Sequence, residues 1–232
     1  EGEGHTNIYA RTVDKAGHVG AEAELEVRID LAPPSEPTID AAGPTGAAGW
    51  ANGPVTVTLT DGADALSGAD YTEYKLGASG TWTRYASAIR MEDEGHTKIY
   101  ARTVDKVGHV GAEAELEIRI DLTDPAEPTM QATGPIVADG WASGPVTVTV
   151  ADGTDALSGV DYTEYKIGYD GTWTRYVTAI PVEDEGITQI YARTADLAGN
   201  TSAEAKLEIQ IDETAPAVPT MNATGPLGAS GW

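Results

Sequence analysis

Aspartates recur in this sequence at spacings that would gather them at one end of a small β-domain. Asp61, Asp64, Asp70 and Asp105 fall in one stretch, and Asp152, Asp155, Asp161 and Asp196 follow each of them 91 residues later. In a β-sandwich the loop after the second strand and the loop between the last two strands share one end, which also receives the incoming linker. That placement brings the first four toward Asp30 or Glu36, and the second four toward Asp121 and Asp124. Carboxylate oxygens are the donors a hard cation such as Ca2+ takes, and converging carboxylates repel unless something neutralises them. A bound Ca2+ would lock the angle between neighbouring domains. No EF-hand spacing is present. The competing reading is that each Asp caps its own turn through nearby backbone N–H groups. Both readings stand at this level.

Other candidate chemistry is thinner. Trp82, Trp173, Tyr74 and Tyr85 could form a stacking platform for a glycan, but a chain with no Phe also needs large rings in its cores, and core packing is the expectation. Lys75 and Lys166 in strands evoke Lys–Asn isopeptide chemistry, yet Asn200 has no counterpart in the other copies. The rows Glu22-Glu24-Glu26 and Glu113-Glu115-Glu117 stand two apart, and Glu204 and Glu208 four apart, on one strand face. Such a row forms a surface ladder, expected to pair with Arg102 and Arg193, and not a glycosidase cleft. His5, His18, His96 and His109 lack metal spacing, no Ser–His–Asp set or phosphate loop occurs, and the chain is read as non-enzymatic. Asn200-Thr201-Ser202 and Asn222-Ala223-Thr224 are sequons in form only.

The elements that must position these residues come from an internal repeat. Trp50, Trp141 and Trp232 are spaced by 91, and residues 50–140 and 141–231 agree at about two-thirds of positions without a gap. Within a copy, Val55, Val57 and Leu59 alternate with threonines, the period of a half-buried strand. Further strands are expected at Tyr71 to Leu76, Trp82 to Tyr85, Ala88 to Met91, Ile99 to Val104, and Leu116 to Ile120, with Glu127 to Ala132 opening the next copy. Short strands between Gly and Asp turns, with no helical period, predict all-β tandem immunoglobulin-like sandwiches. Pro-bearing linkers put the boundaries at 1–32 (last strands of one repeat), 33–122, 123–213, and 214–232 (first strand of another). The chain thus reads as an excerpt of a longer array whose N-terminus lies elsewhere, and its linkers stiffen it into a semi-rigid rod.

Composition narrows the setting. With 37 acidic against 14 basic residues the net charge is −23, which repels nucleic acid and anionic membranes. The absence of cysteine excludes disulfides and thiolate sites, and no apolar run is long enough to span a bilayer.

The succession Trp50…Val55-Thr56-Val57, Asp64-Ala65-Leu66-Ser67-Gly68, Tyr71-Thr72-Glu73-Tyr74, Trp82…Tyr85, Glu94-Gly95 and Ile99-Tyr100-Ala101-Arg102 resembles bacterial Ig-like surface repeats, especially the OmpL47-type β-domain. Asp196-Leu197-Ala198-Gly199-Asn200 matches the family's Asp-x-Ala-Gly-Asn loop, whereas His18 and His109 replace the Asn in the other copies. The resemblance implies an extracellular location, on a bacterial surface or in a secreted filament. The role it implies is a stalk, fibre or surface-layer array whose partners are neighbouring repeats or copies of the same protein. The alternatives are an adhesin module for a glycan or host ligand, and an accessory domain of a large extracellular hydrolase.

Overall fold

The computed structural model describes residues 2–222 and 225. Eighteen strands and two short 3-10 turns account for its regular structure, and no α-helix occurs among the described residues. The first two strands, β1 (Gly4–Ala10) and β2 (Ala23–Ile29), form an antiparallel hairpin. A full repeat follows: β3 (Thr38–Ala42), β4 (Trp50–Ala51), β5 (Val55–Thr60), β6 (Ala69–Leu76), β7 (Thr83–Arg84), β8 (Ile89–Met91), β9 (Gly95–Asp105) and β10 (Ala114–Ile120). A second repeats it: β11 (Thr129–Thr133), β12 (Trp141–Ala142), β13 (Val146–Ala151), β14 (Val160–Ile167), β15 (Thr174–Arg175), β16 (Ile180–Val182), β17 (Gly186–Asp196) and β18 (Ala205–Ile211).

Each repeat is a sandwich of a three-stranded and a five-stranded sheet. The orders are β3-β5-β8 with β4-β10-β9-β6-β7, and β11-β13-β16 with β12-β18-β17-β14-β15. This is the immunoglobulin-like arrangement, in which the opening segment leaves one sheet and adds a short strand to the other. That switch strand escaped the sequence reading because two residues, Trp50-Ala51 or Trp141-Ala142, show no alternation. They pair in parallel with the last strand, Trp50 opposite Arg119 and Trp141 opposite Gln210.

By proximity the described chain divides into two compact units. Among the described residues, one holds 2–125 with 154–161 and 195–201; the other holds 126–153, 162–194 and the described residues from 202 onward. In the first, Val55, Val57 and Leu59 face inward while Thr56, Thr58 and Thr60 face solvent, as the alternation predicts. They meet Met91, Ile99, Ala101, Ile118 and Ile120 in an aliphatic core. Tyr74 and Tyr85 pack at its margin, edge to face. In the second unit Val146, Val148, Ile180, Ile190, Ile209 and Ile211 build the matching core, flanked by Tyr165 and Tyr176. Residues 214–222 carry no strand. Apart from Gly225, the remainder of the segment assigned to a further repeat, including Trp232 and two of the three residues of the Asn222 sequon, lies outside the described residues.

Ile99 is fully buried and Thr58 is exposed, so their truncations should separate cleanly. Ile99→Ala is expected to cost about 2–5 kcal/mol through the cavity it leaves. Thr58→Ala should stay within about 0.5 kcal/mol. Urea unfolding of both variants checks this, and equal shifts would overturn the assigned strand facing.

Candidate functional site

The linkers and the loops at one end of each sandwich are organised around carboxylates. Asp105 ends β9, and its Oδ1 accepts the N–H groups of Val107 (2.9 Å), Gly108 (2.6 Å) and His109 (2.8 Å), while His109 Nδ1 lies 2.8 Å from Oδ2. Gly108 takes a φ of +98°, a left-handed backbone that suits glycine and closes this tight loop. Asp196 does the same for β17, accepting from Gly199 N–H (2.7 Å), Asn200 N–H (2.8 Å) and Asn200 Nδ2 (2.8 Å). The loop before β6 closes on Asp64, which accepts Gly68 N–H at 2.6 Å, and the loop before β14 closes on Asp155, which accepts Gly159 N–H at 2.6 Å.

The linker aspartates divide their two oxygens. Asp30 Oδ1 accepts from Ala32 N–H (3.1 Å) and Oδ2 from Ser67 N–H (2.9 Å). Asp121 repeats this with Thr123 N–H (3.0 Å) and Ser158 N–H (2.9 Å). A second brace comes from the Glu before each Gly that opens a penultimate strand. Glu3 accepts Leu31 N–H; Glu94 accepts Leu122 N–H and the Thr123 hydroxyl; Glu185 accepts Glu213 N–H and the Thr214 hydroxyl. Asn200 adds a strut, donating through Nδ2 to the carbonyl oxygens of Asp121 (3.0 Å) and Thr123 (3.3 Å). Neither the glutamates nor this strut was legible from composition, although the fixed Glu-x-Glu-Gly or Glu-Asp-Glu-Gly phrase was a signal for the first.

The aspartates singled out by spacing therefore part company. Asp121, Asp155 and Asp196 converge, each with an oxygen within 4.8 Å of the others; so do Asp30, Asp105 and His109. Asp61 instead accepts the Thr72 hydroxyl at 2.7 Å, Asp64 serves its own turn, and Asp70 pairs with Arg84 at 3.6 Å. Asp124, Asp152 and Asp161 are exposed and outside the converging group, as is Glu36. The Asp121 group offers oxygen donors only, which suits Ca2+ in kind. The Asp30 group includes an imidazole, a poor match for that cation. In both, backbone N–H donors already offset much of the carboxylate charge.

Those donors hold the acids ionised. Hydrogen bonding from Ser67 is the main cause that lowers the Asp30 pKa, helped by the Ala32 N–H and the nearby His109 and opposed by burial. Burial pushes Asp105 upward, but the His109, Val107 and Gly108 bonds outweigh it and leave the acid below its ordinary value. Asp121 behaves alike, with Ser158 and Thr123 overcoming burial.

Other expectations resolve differently. Trp82 and Trp173 are not core residues. Trp82 lies outside the five-stranded sheet, with Arg102 at 4.0 Å and Lys75 at 4.5 Å over its ring, and Trp173 stands likewise over Arg193 and Lys166. Cation–π contact on the sheet's outer face, not core volume, fixes their place. Lys75 and Lys166 pair with Glu113 and Glu204, and Asn200 is engaged at the linker, so no Lys–Asn pairing forms. Arg102 and Arg193 bond Glu73 and Glu164 instead of the last-strand Glu row. The reason is register: β6 sets Glu73 directly opposite Arg102 on β9, whereas the β9–β10 pairing stops at Ala101.

No protein-family model and no curated protein matches this sequence. Among solved structures, the fibronectin(III)-like modules of Clostridium thermocellum CbhA are similar at 14% identity, covering 80% of this chain and 100% of theirs, with a TM-score of 0.40. A 1.5-MDa bacterial ice-binding adhesin is similar at 16% identity over 91% of this chain and 76% of that one, with a TM-score of 0.42. The FN1–FN3 domains of chicken CNTN1 are similar at 12% identity over 89% and 75%, with a TM-score of 0.33. The fold class rests on the strand order itself: this is a tandem of immunoglobulin-like β-sandwiches. No helix among the described residues is long and apolar enough to cross a membrane.

Unfolded aspartates titrate near pH ~3.9, and Asp30, Asp105 and Asp121 titrate lower when folded. Their contribution to stability is therefore complete above that value and drains away as pH falls through the depressed folded values. The melting temperature should hold steady down to about pH 5 and drop below about pH 4. Asp121→Asn should melt lower at neutral pH and lose less on acidification. Parallel acid profiles for the two proteins would contradict the assignment.

Proposed function

We propose that this chain is a non-catalytic structural segment of a bacterial extracellular surface protein, whose tandem repeats make a semi-rigid stalk, fibre or surface-layer array. The observation that carries the reading is the repeated brace: Asp30 on Ser67 and Asp121 on Ser158, each backed by a glutamate that holds the linker backbone. A protein whose task is length and direction needs its linkers held the same way each time, and a binding module does not. Buried Pro34, Pro37, Pro125 and Pro128 support the same reading by removing linker freedom. The resemblance to the OmpL47-type β-domain and the net charge of −23 support an extracellular setting, with neighbouring repeats or copies of the same chain as partners.

Small-angle X-ray scattering of the chain tests it. A narrow distribution of interdomain distances is expected, broadened by Asp121→Ala. A broad distribution in the unsubstituted chain would remove the rod.

A calcium ion on Asp121, Asp155 and Asp196 is a second proposal within this reading, favoured by their mutual approach and their all-oxygen donors. Ligand that binds only the folded state must raise its melting temperature. Millimolar Ca2+ should then raise the melting temperature over chelator, and Asp155→Asn should abolish the difference. Identical curves with and without chelator would leave the hydrogen bonds as the whole of the brace.

A further inference from the structure

The loop after β3 meets the loop between β17 and β18 inside the first unit, and a single glycine permits the approach. Gly46 has φ −88° and ψ −161°, ordinary extended backbone that any residue adopts. Val137, 91 positions later in the same turn, shows this directly with φ −104° and ψ −167°. Both residues donate their N–H to the following tryptophan carbonyl at 2.7 Å, Gly46 to Trp50 and Val137 to Trp141. Both turns then place a non-glycine residue in the left-handed region, Ala48 at φ 53° and Asp139 at φ 60°. Nothing in the turn itself requires glycine.

The neighbouring loop does. A Cβ on Gly46 would overlap the carbonyl oxygens of Leu197 and Ala198 and stand 2.6 Å from the Ala198 carbonyl carbon. Those carbonyls are backbone, in a loop tied by Asp196 and by the Asn200 strut to Asp121 and Thr123, so they cannot yield as a side-chain tip would. At the equivalent place in the second repeat Val137 is 57% exposed, beside Ile136 at 44%.

We infer that this position selects how a repeat receives the Asp-x-x-Gly-x loop of its neighbour. Glycine admits the loop in close contact, as Gly46 does with residues 196–200. Valine excludes that pose, so the end of the second repeat that carries Val137 accepts another such loop only displaced outward, across the apolar lip of Ile136 and Val137. Near-identical repeats thereby gain two kinds of junction from one residue, a tight one and an open one. The inference rests on the array reading and adds which junctions of the array are tight.

Gly46→Val tests it, since Val137 shows that the turn accepts valine, and intact sandwich folding can be checked by circular dichroism. Hydrogen exchange read by mass spectrometry should show slow amides at 196–200 and 121–125 in the unsubstituted chain. In Gly46→Val these should exchange about tenfold faster or more, as expected when a closed segment opens, with the amides of β9 and of β17 before Asp196 unchanged. Val137→Gly should leave all four segments as they were. Equal protection in Gly46→Val and the unsubstituted chain would overturn the selector while leaving the rod standing. Fast exchange at 196–200 and 121–125 in the unsubstituted chain would overturn the rod, and the selector with it.

Discussion

An aspartate at the end of the last strand has two oxygens, and this protein gives them different tasks. In Asp30 and Asp121 one oxygen turns the chain into its linker, and the other takes a backbone N–H from the loop that the linker approaches. The bond goes to a main-chain donor, so the following loop is held by its backbone and not by a long, mobile side chain. Bonds from N–H to a carboxylate are stronger than neutral ones, and a fully buried Asp121 has little water to compete for it. At Asp121 the Glu94 brace and the Asn200 strut hold the same linker as that bond. Without it, a row of acids at each domain end would repel.

A second polar system inside the sandwich supports that end. Thr72 and Thr103 share a hydrogen bond at 3.0 Å in the buried interior, and Thr103 also accepts the Gly62 N–H at 2.8 Å. Thr163 and Thr194 repeat this, with Gly153 N–H on Thr194. Small hydroxylated residues take the place of large apolar ones where the core meets the loops. Among the described residues every buried side-chain polar atom finds a partner, so the polar interior specifies one arrangement instead of weakening the fold.

The regular strands were legible because alternation is a direct record of which face is wet. Val55 to Thr60 and Leu116 to Ile120 lie where their periods put them, and Tyr74 and Tyr85 line the core. What escaped obeyed rules that spacing does not express. The Trp50-Ala51 strand is too short to alternate. Trp82 and Trp173 were assigned to the core by volume, but cations under the rings give an aromatic residue an equally good home outside. Spacing groups the aspartates together, yet spacing alone does not distinguish a carboxylate aimed at its own turn, as in Asp64, from one aimed across a junction, as in Asp121. That distinction depends on which oxygen meets which N–H, a matter of angles a few residues apart.

The parallel pairing of Trp50-Ala51 with Arg119-Ile120 has a mechanical meaning. After its first strand the chain passes beside the strand by which it leaves the repeat, and the two run in the same direction. Tension drawn through the polypeptide therefore slides these strands past each other, loading their hydrogen bonds together, including the one from Asp121 N–H to the Ala51 carbonyl at 2.9 Å. Bonds loaded side by side must break as a set, whereas a hairpin pulled from its open end gives way one rung at a time. The same short strand that the alternation of residues could not reveal is thus the latch through which each repeat would bear a pull.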